Sequence, residues 1–104
     1  MKFYQQISRK LKKDNLLGPV SVCRSKLSPS LDGDCQVKNS CIVIRINREL
    51  EEGEAILTLL HEFSHAICFQ TDKNYQGTHN AIWGKTYAKL YRNIVDNYMD
   101  SITF

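Results

Sequence analysis

Histidine is scarce in this chain: there are three among 104 residues, and two of them fall within His61-Glu62-Phe63-Ser64-His65. Glutamate runs out at the same place, for none follows Glu62. The four cysteines, Cys23, Cys35, Cys41 and Cys68, show no C-x-x-C spacing, and residues 1–13 lack the apolar core of a secretory signal. These absences argue against a disulfide framework and against export, so a reducing, cytoplasmic setting with no membrane association is expected. Free thiols are the default reading. A bridge between Cys35 and Cys41, which flank a short polar stretch, or their sharing of a structural zinc, are the alternatives. There is no internal repeat and no low-complexity tract.

What is present suffices for one domain. A chain of 104 residues that is 42% hydrophobic builds a single modest core, so residues 1–104 are read as one unit. Phe3, Tyr4, Ile7 and Leu11 recur at helical spacing in a basic segment ending near Asn15. Residues 19–27 read as a first strand, with Val20 and Val22 on one face and Ser21 and Cys23 on the other. Residues 28–40 hold Pro29, Gly33 and several turn-forming Asp and Asn residues, and read as a long connection. Cys41 to Asn47 alternates Ile42, Ile44 and Ile46 against Cys41, Val43 and Arg45, the clearest strand of the chain. Two helices follow. The fold class is therefore α+β: an N-terminal helix, a small antiparallel sheet and two further helices.

The first of those two helices carries the chemistry. Residues 53–69 contain no proline and no later glycine, while Ala55, Leu57, Leu59, Leu60 and Ala66 are good helix formers. Glu49, Glu51, Glu52 and Glu54 crowd its expected start, where carboxylates favour the helix dipole. Ile56, Leu59, Phe63, Ala66 and Ile67 make an apolar stripe for the core. Leu57, Thr58, His61, His65 and Cys68 share the opposite face, so the helix is expected to be buried on most sides. On a helix, residues four apart lie on one face about 6 Å apart along the axis. His61 and His65 can then reach one ion, and Glu62 comes up beside it, where it can take a proton from water. The plain alternative is a pair of satisfied core histidines, which leaves Glu62 buried without purpose.

A catalytic zinc takes three protein ligands and keeps its fourth position open. With no glutamate after Glu62, the third comes from His79, Asp72, Asp96, Asp100 or Cys68. His79 is favoured because it follows a polar loop, residues 71–78, and opens the next periodic segment, in which Trp83, Tyr87, Leu90, Tyr91 and Ile94 form the buried stripe. A capping or loop histidine is the alternative for that position.

The run Leu59-Leu60-His61-Glu62-Phe63-Ser64-His65-Ala66, followed by Thr78-His79-Asn80-Ala81-Ile82-Trp83, resembles the zinc metalloprotease domain of SprT-like proteins and related small zincins of phages and bacteria. The likeness covers roughly residues 42–91. It implies a minimal zincin-like domain, zinc held by His61, His65 and His79, and Glu62 as the catalytic acid/base. Asn80 stands where that family usually has glycine, and asparagine tolerates left-handed backbone angles. The chain also ends at Phe104 without the C-terminal zinc ribbon of many SprT proteins. A second likeness joins Gly77-Thr78-His79-Asn80-Ala81-Ile82-Trp83-Gly84 to the G-T-x-D-x-x-Y-G element of aspzincin peptidases. There the Asp is a ligand, and Asn80 is a poor substitute.

The resemblance implies hydrolysis of protein or peptide substrates through a zinc-activated water, with Glu62 accepting its proton and passing it to the leaving amine. Tyr75, Tyr87, Tyr91 and Lys85 are the candidates for stabilising the oxyanion. Zincins commonly pair a substrate with an edge strand above the metal helix, a role that would fall here to Cys41 to Asn47. Fourteen basic against eleven acidic residues give +3, and Lys2, Arg9, Lys10, Lys12 and Lys13 precede Asp14. Such a helix is commonly a solvated face, but it can touch phosphate, and SprT proteins cleave proteins on DNA. The competing class is a non-catalytic, zinc-stabilised module that binds a partner.

Overall fold

The computed structural model describes residues 2–15 and 18–98. In chain order the elements are α1 (Lys2–Asp14), β1 (Val20–Ser25), β2 (Gly33–Lys38), β3 (Cys41–Asn47), α2 (Glu52–Thr71) and α3 (Ala81–Tyr98). Alternation in β3 turns Ile42, Ile44 and Ile46 onto a buried face, where they meet Ile56, Leu59, Leu60 and Phe63 of α2. Tyr4, Ile7 and Leu11 of α1 and Leu90 and Ile94 of α3 close the same core. Burying an aliphatic or aromatic side chain of this size contributes about 1.5–3 kcal/mol. The α+β class follows directly.

Three features of the sheet depart from the sequence expectation. Residues 28–40 are no mere connection, because they contain β2, which pairs antiparallel to β3 through the two-residue turn Asn39-Ser40. Both turn residues have positive φ, 48° and 69°, the mirror-image turn whose twist matches a hairpin. The sheet is also mixed rather than antiparallel, since β1 runs parallel to β3. Its order, β1-β3-β2, places β3 in the centre, so the edge role expected of Cys41–Asn47 passes to β1 and β2. The strand closest in polarity to a loop is thus an edge strand. Asp34, Gln36 and Lys38 keep its outer face hydrophilic, as exposed edges commonly are.

Register also disposes of the alternative of a Cys35–Cys41 bridge and bears out free thiols. Cys35 pairs with Ile44 and shares its inward face, whereas Cys41 lies three residues before Ile44 and points to the other side. All four cysteines are free.

Two polar side chains lock these pieces together. Glu52 stands in the first turn of α2, yet its Oε2 accepts the backbone N–H groups of Phe3 and Tyr4 at 3.0 and 3.1 Å, capping α1 from another helix. Asn47, only 3% exposed, donates through Nδ2 to the Ser28 and Leu31 carbonyls and accepts the Glu49 N–H at Oδ1. It thereby sets the loop that leads into β2. Removing three such bonds and leaving two carbonyls under-satisfied costs roughly 1 kcal/mol each. Asn47→Ala is therefore expected to lower stability by about 2–3 kcal/mol, read as a reduced urea midpoint at unchanged slope.

Candidate metal centre

The α2 segment is apolar on most sides, as expected. Ala55, Ile56, Leu59, Leu60, Phe63, Ala66 and Cys68 are buried, and so are Glu62, Ser64 and His65. His61 and His65 project from the one face left open toward α3. After α2 ends at Thr71, a loop carries the chain back, and His79 reaches the same point from that loop, two residues before α3 begins. Its Nε2 lies 3.2 Å from His65 Nε2 and 3.1 Å from His61 Nε2.

Three imidazole nitrogens so placed can share a proton or a cation. Burial and the neighbouring histidines hold His61 below its ordinary value and push His65 down to about 4, so a shared proton is a poor answer. A cation fits better: a tetrahedral ion about 2.0–2.1 Å from each nitrogen spaces the ligands roughly 3.3 Å apart, close to the two His79 separations, and the three ligand atoms all lie within 4.8 Å of one another. His61, His65 and His79 together form a group that can hold a metal ion.

Hydrogen bonding orients this set. The single proton of the Tyr75 hydroxyl goes to the Thr78 carbonyl at 2.7 Å, so the 2.6 Å contact with His65 Nδ1 is donated by the imidazole. His65 is thereby fixed with its proton on Nδ1 and its lone pair on Nε2, facing the other two rings. The same bonds tie the loop bearing His79 to α2. Tyr75→Phe is expected to weaken metal affinity about 10- to 100-fold while leaving secondary structure intact, measured by competition with a chromophoric chelator.

Glu62 lies beside the cluster, with Oε2 4.0 Å from His61 Nε2. Burial, and then the Asp34 carboxylate, raise its pKa to about 7. Asp34 itself is held below the usual carboxylate range by its bond to Arg45, so it stays charged. His61 and Glu62 face a cavity of about 300 Å³ whose other walls are Asp32, Gly33, Leu57, Thr58 and Tyr87. Two of those walls, Asp32 and Gly33, belong to the β2 region, which the sequence expectation reads as a connection. The sequence signal for it is slight: the Asn39-Ser40 pair directly before the alternating segment Cys41–Asn47, a dipeptide of turn-forming residues of the kind that closes a hairpin.

Trp83 closes the cluster from α3, its ring centroid 4.5, 4.9 and 5.5 Å from those of His79, His61 and His65. Tyr87 stacks on Trp83 at 5.3 Å and 17°, and Tyr91 stacks on Tyr87. Leu90 and Ile94 are buried as expected, but Trp83 and Tyr87 are only half-buried and Tyr91 is 37% exposed, so the stripe is less buried than expected. The first turn of α3 is set by Asn80, whose Oδ1 accepts the Trp83 N–H at 2.9 Å. Asn80 does not adopt a left-handed conformation, so the residue replacing glycine serves as a helix cap.

The other ligand candidates do not join the group. Asp72 ends α2 and accepts the Asn74 N–H, Asp96 lies near the far end of α3, and Cys68 is buried with its thiol toward Thr86. Asp100 lies outside the described residues. Among the oxyanion candidates, Tyr75 is committed to His65 and Thr78. Lys85 faces a separate hollow on the outer side of α3 with Lys89 and Arg92.

Two histidines four apart on a buried helix, a third from the next loop and a glutamate beside them give an α+β domain of the H-E-x-x-H class whose histidine group could hold a metal ion. The model of the SprT-like family matches residues 1–101, and the chain belongs to that family. No curated protein matches it. Among the described residues, no helix is long and apolar enough to cross a membrane.

Proposed function

We propose that this protein is a zinc-dependent endopeptidase. The observation that carries the reading is the convergence of three Nε2 atoms beside a buried, otherwise unengaged glutamate on the wall of an open cavity. Three neutral imidazoles suit zinc, and a set of three leaves a position free for chemistry. When bound, zinc supplies Lewis-acid polarisation of a carbonyl and acidifies water.

The chain's own residues do the rest. His65 is held in the ligating tautomer by Tyr75, and His61 and His79 complete the set. Glu62 takes a proton from the attacking water and delivers it to the nitrogen of the leaving amine as the C–N bond breaks. Its elevated pKa of about 7 suits a group that must both accept and release a proton near neutrality.

β2 offers a free edge along the same cavity, through Gly33, where an extended peptide can pair by main-chain bonds with little sequence demand. The substrate class is accordingly protein or unfolded peptide. Lys2, Arg9 and Lys13 are exposed on α1, away from Tyr4, Ile7 and Leu11, and suit contact with DNA phosphates near such substrates. Four free cysteines accord with the reducing cytoplasm.

The test is zinc analysis alongside cleavage of fluorescently labelled casein, with chelator and zinc add-back. One equivalent of zinc and chelator-reversible cleavage are expected. Stoichiometric zinc with no hydrolysis of casein or of a mixed peptide library would reject the enzyme in favour of a zinc-stabilised binding module.

A further inference from the structure

We infer that Tyr87 is the residue that stabilises the oxyanion, donating its phenolic O–H to the carbonyl oxygen of the substrate as negative charge develops there. This rests on the peptidase reading and assigns a role within it.

Tyr87 is the only one of the four polar candidates that lines the cavity shared by His61 and Glu62. It reaches that cavity from α3, one turn after Trp83, whereas His61 and Glu62 reach it from α2. Glu62 and the donor would thus flank a carbonyl held between them, the arrangement that attack on one side and charge stabilisation on the other require. Its hydroxyl makes no hydrogen bond among the described residues, so the donor is uncommitted, in contrast to Tyr75.

The ring is also held still. It lies nearly parallel to Trp83, which itself packs against all three histidines, so the hydroxyl is positioned relative to the metal-binding group through two stacked aromatic rings. A donor fixed before the reaction costs no reorganisation when charge appears. Tyr91, a turn further along, borders a second hollow with Tyr87, Ala88, Arg92 and Val95, but unlike Tyr87 it does not line the cavity of His61 and Glu62. Lys85 is two residues from Tyr87, about 200° round the helix, and points elsewhere.

The bond changes are those of amide hydrolysis. Water oxygen bonds to the carbonyl carbon while its proton passes to Glu62; the carbonyl oxygen takes the electron pair and receives the Tyr87 hydrogen bond. The C–N bond then breaks with the Glu62 proton on nitrogen. Tyr87 keeps its own proton throughout.

The experiment compares zinc-loaded wild type, Tyr87→Phe and Tyr91→Phe on one quenched fluorescent peptide chosen as the best cleaved of a mixed library. Phenylalanine preserves the stack on Trp83, so zinc content and thermal stability should match wild type. Loss of one oxyanion donor lowers kcat by about 10²–10³-fold with KM within a factor of three, and Tyr91→Phe should match wild type. A phosphinic analogue of the same peptide, mimicking the tetrahedral species, should lose affinity for Tyr87→Phe by a factor comparable to the fall in kcat/KM. An active wild type with undiminished kcat in Tyr87→Phe, or a change confined to KM, overturns the role of Tyr87 and leaves the peptidase reading standing. A zinc-loaded wild type that cleaves nothing overturns both.

Discussion

Zinc-loaded Glu62→Gln protein is expected to keep its metal and its fold while losing at least about 10³-fold in turnover, near the upper range for removal of a general acid/base. Glutamine has the shape of glutamate but cannot accept the proton of the attacking water. The carboxylate is buried, 8% exposed, and accepts no hydrogen bond among the described residues, so no structural network depends on it. Burial already disfavours its charged form, as its raised pKa shows. In the metal-free protein a neutral amide therefore relieves a desolvation cost, and the thermal stability of the metal-free variant should hold or rise slightly. Zinc stoichiometry, a melting curve and single-turnover cleavage on one preparation decide the matter. Retained turnover with bound zinc would remove Glu62 from the mechanism.

His79→Ala should strip most of the metal affinity while sparing the apo fold. His79 lies in an exposed loop and contributes nothing to the core, so the apo protein should unfold within about 0.5 kcal/mol of wild type. Four-ligand structural zinc sites bind with about 10–16 kcal/mol, or roughly 3 kcal/mol per ligand. Loss of one ligand then weakens zinc by on the order of 10²–10³-fold. Competition against a chelator of known affinity reads this directly. Full zinc affinity in the variant would mean that the third ligand is another residue, and the short contacts His79 makes with His61 and His65 would then need a different explanation.

The two substitutions probe different levels of the design. Glu62 and His61 are adjacent on one helix, so their relation is set by helical geometry alone. His79 is joined to them by a loop, whose path depends on the Tyr75 hydroxyl bridging His65 and the Thr78 carbonyl. Tyr75 was visible in the sequence as a candidate donor, but no local pattern says that a tyrosine ten residues after a histidine will return to hold it. Only the folded loop makes that bond. Its pKa, raised to about 12 chiefly by burial, keeps the hydroxyl protonated in that position.

The sheet shows the same division. Alternating isoleucines made β3 legible to its ends, because a strand with one buried face must repeat every second residue. β2 has no such repeat. Only its inward residues near Cys35 meet the core, the remainder is polar, and its identity as a strand comes from the partner that pairs with it.

What the amino-acid sequence determined without help was local: helical and strand periodicity, the placing of His61, Glu62 and His65 on one stretch of helix, and the elimination that left His79 as the favoured third ligand. Such features depend on spacing of a few residues, and the backbone repeats of 3.6 and 2 convert spacing into direction. Tertiary structure alone decided that β3 is central, that β2 walls the cavity, that Tyr75 orients His65, and which of four polar side chains lines the cavity of Glu62. Each of those depends on contacts between residues distant along the chain, chosen by packing and by the need to satisfy buried polar groups.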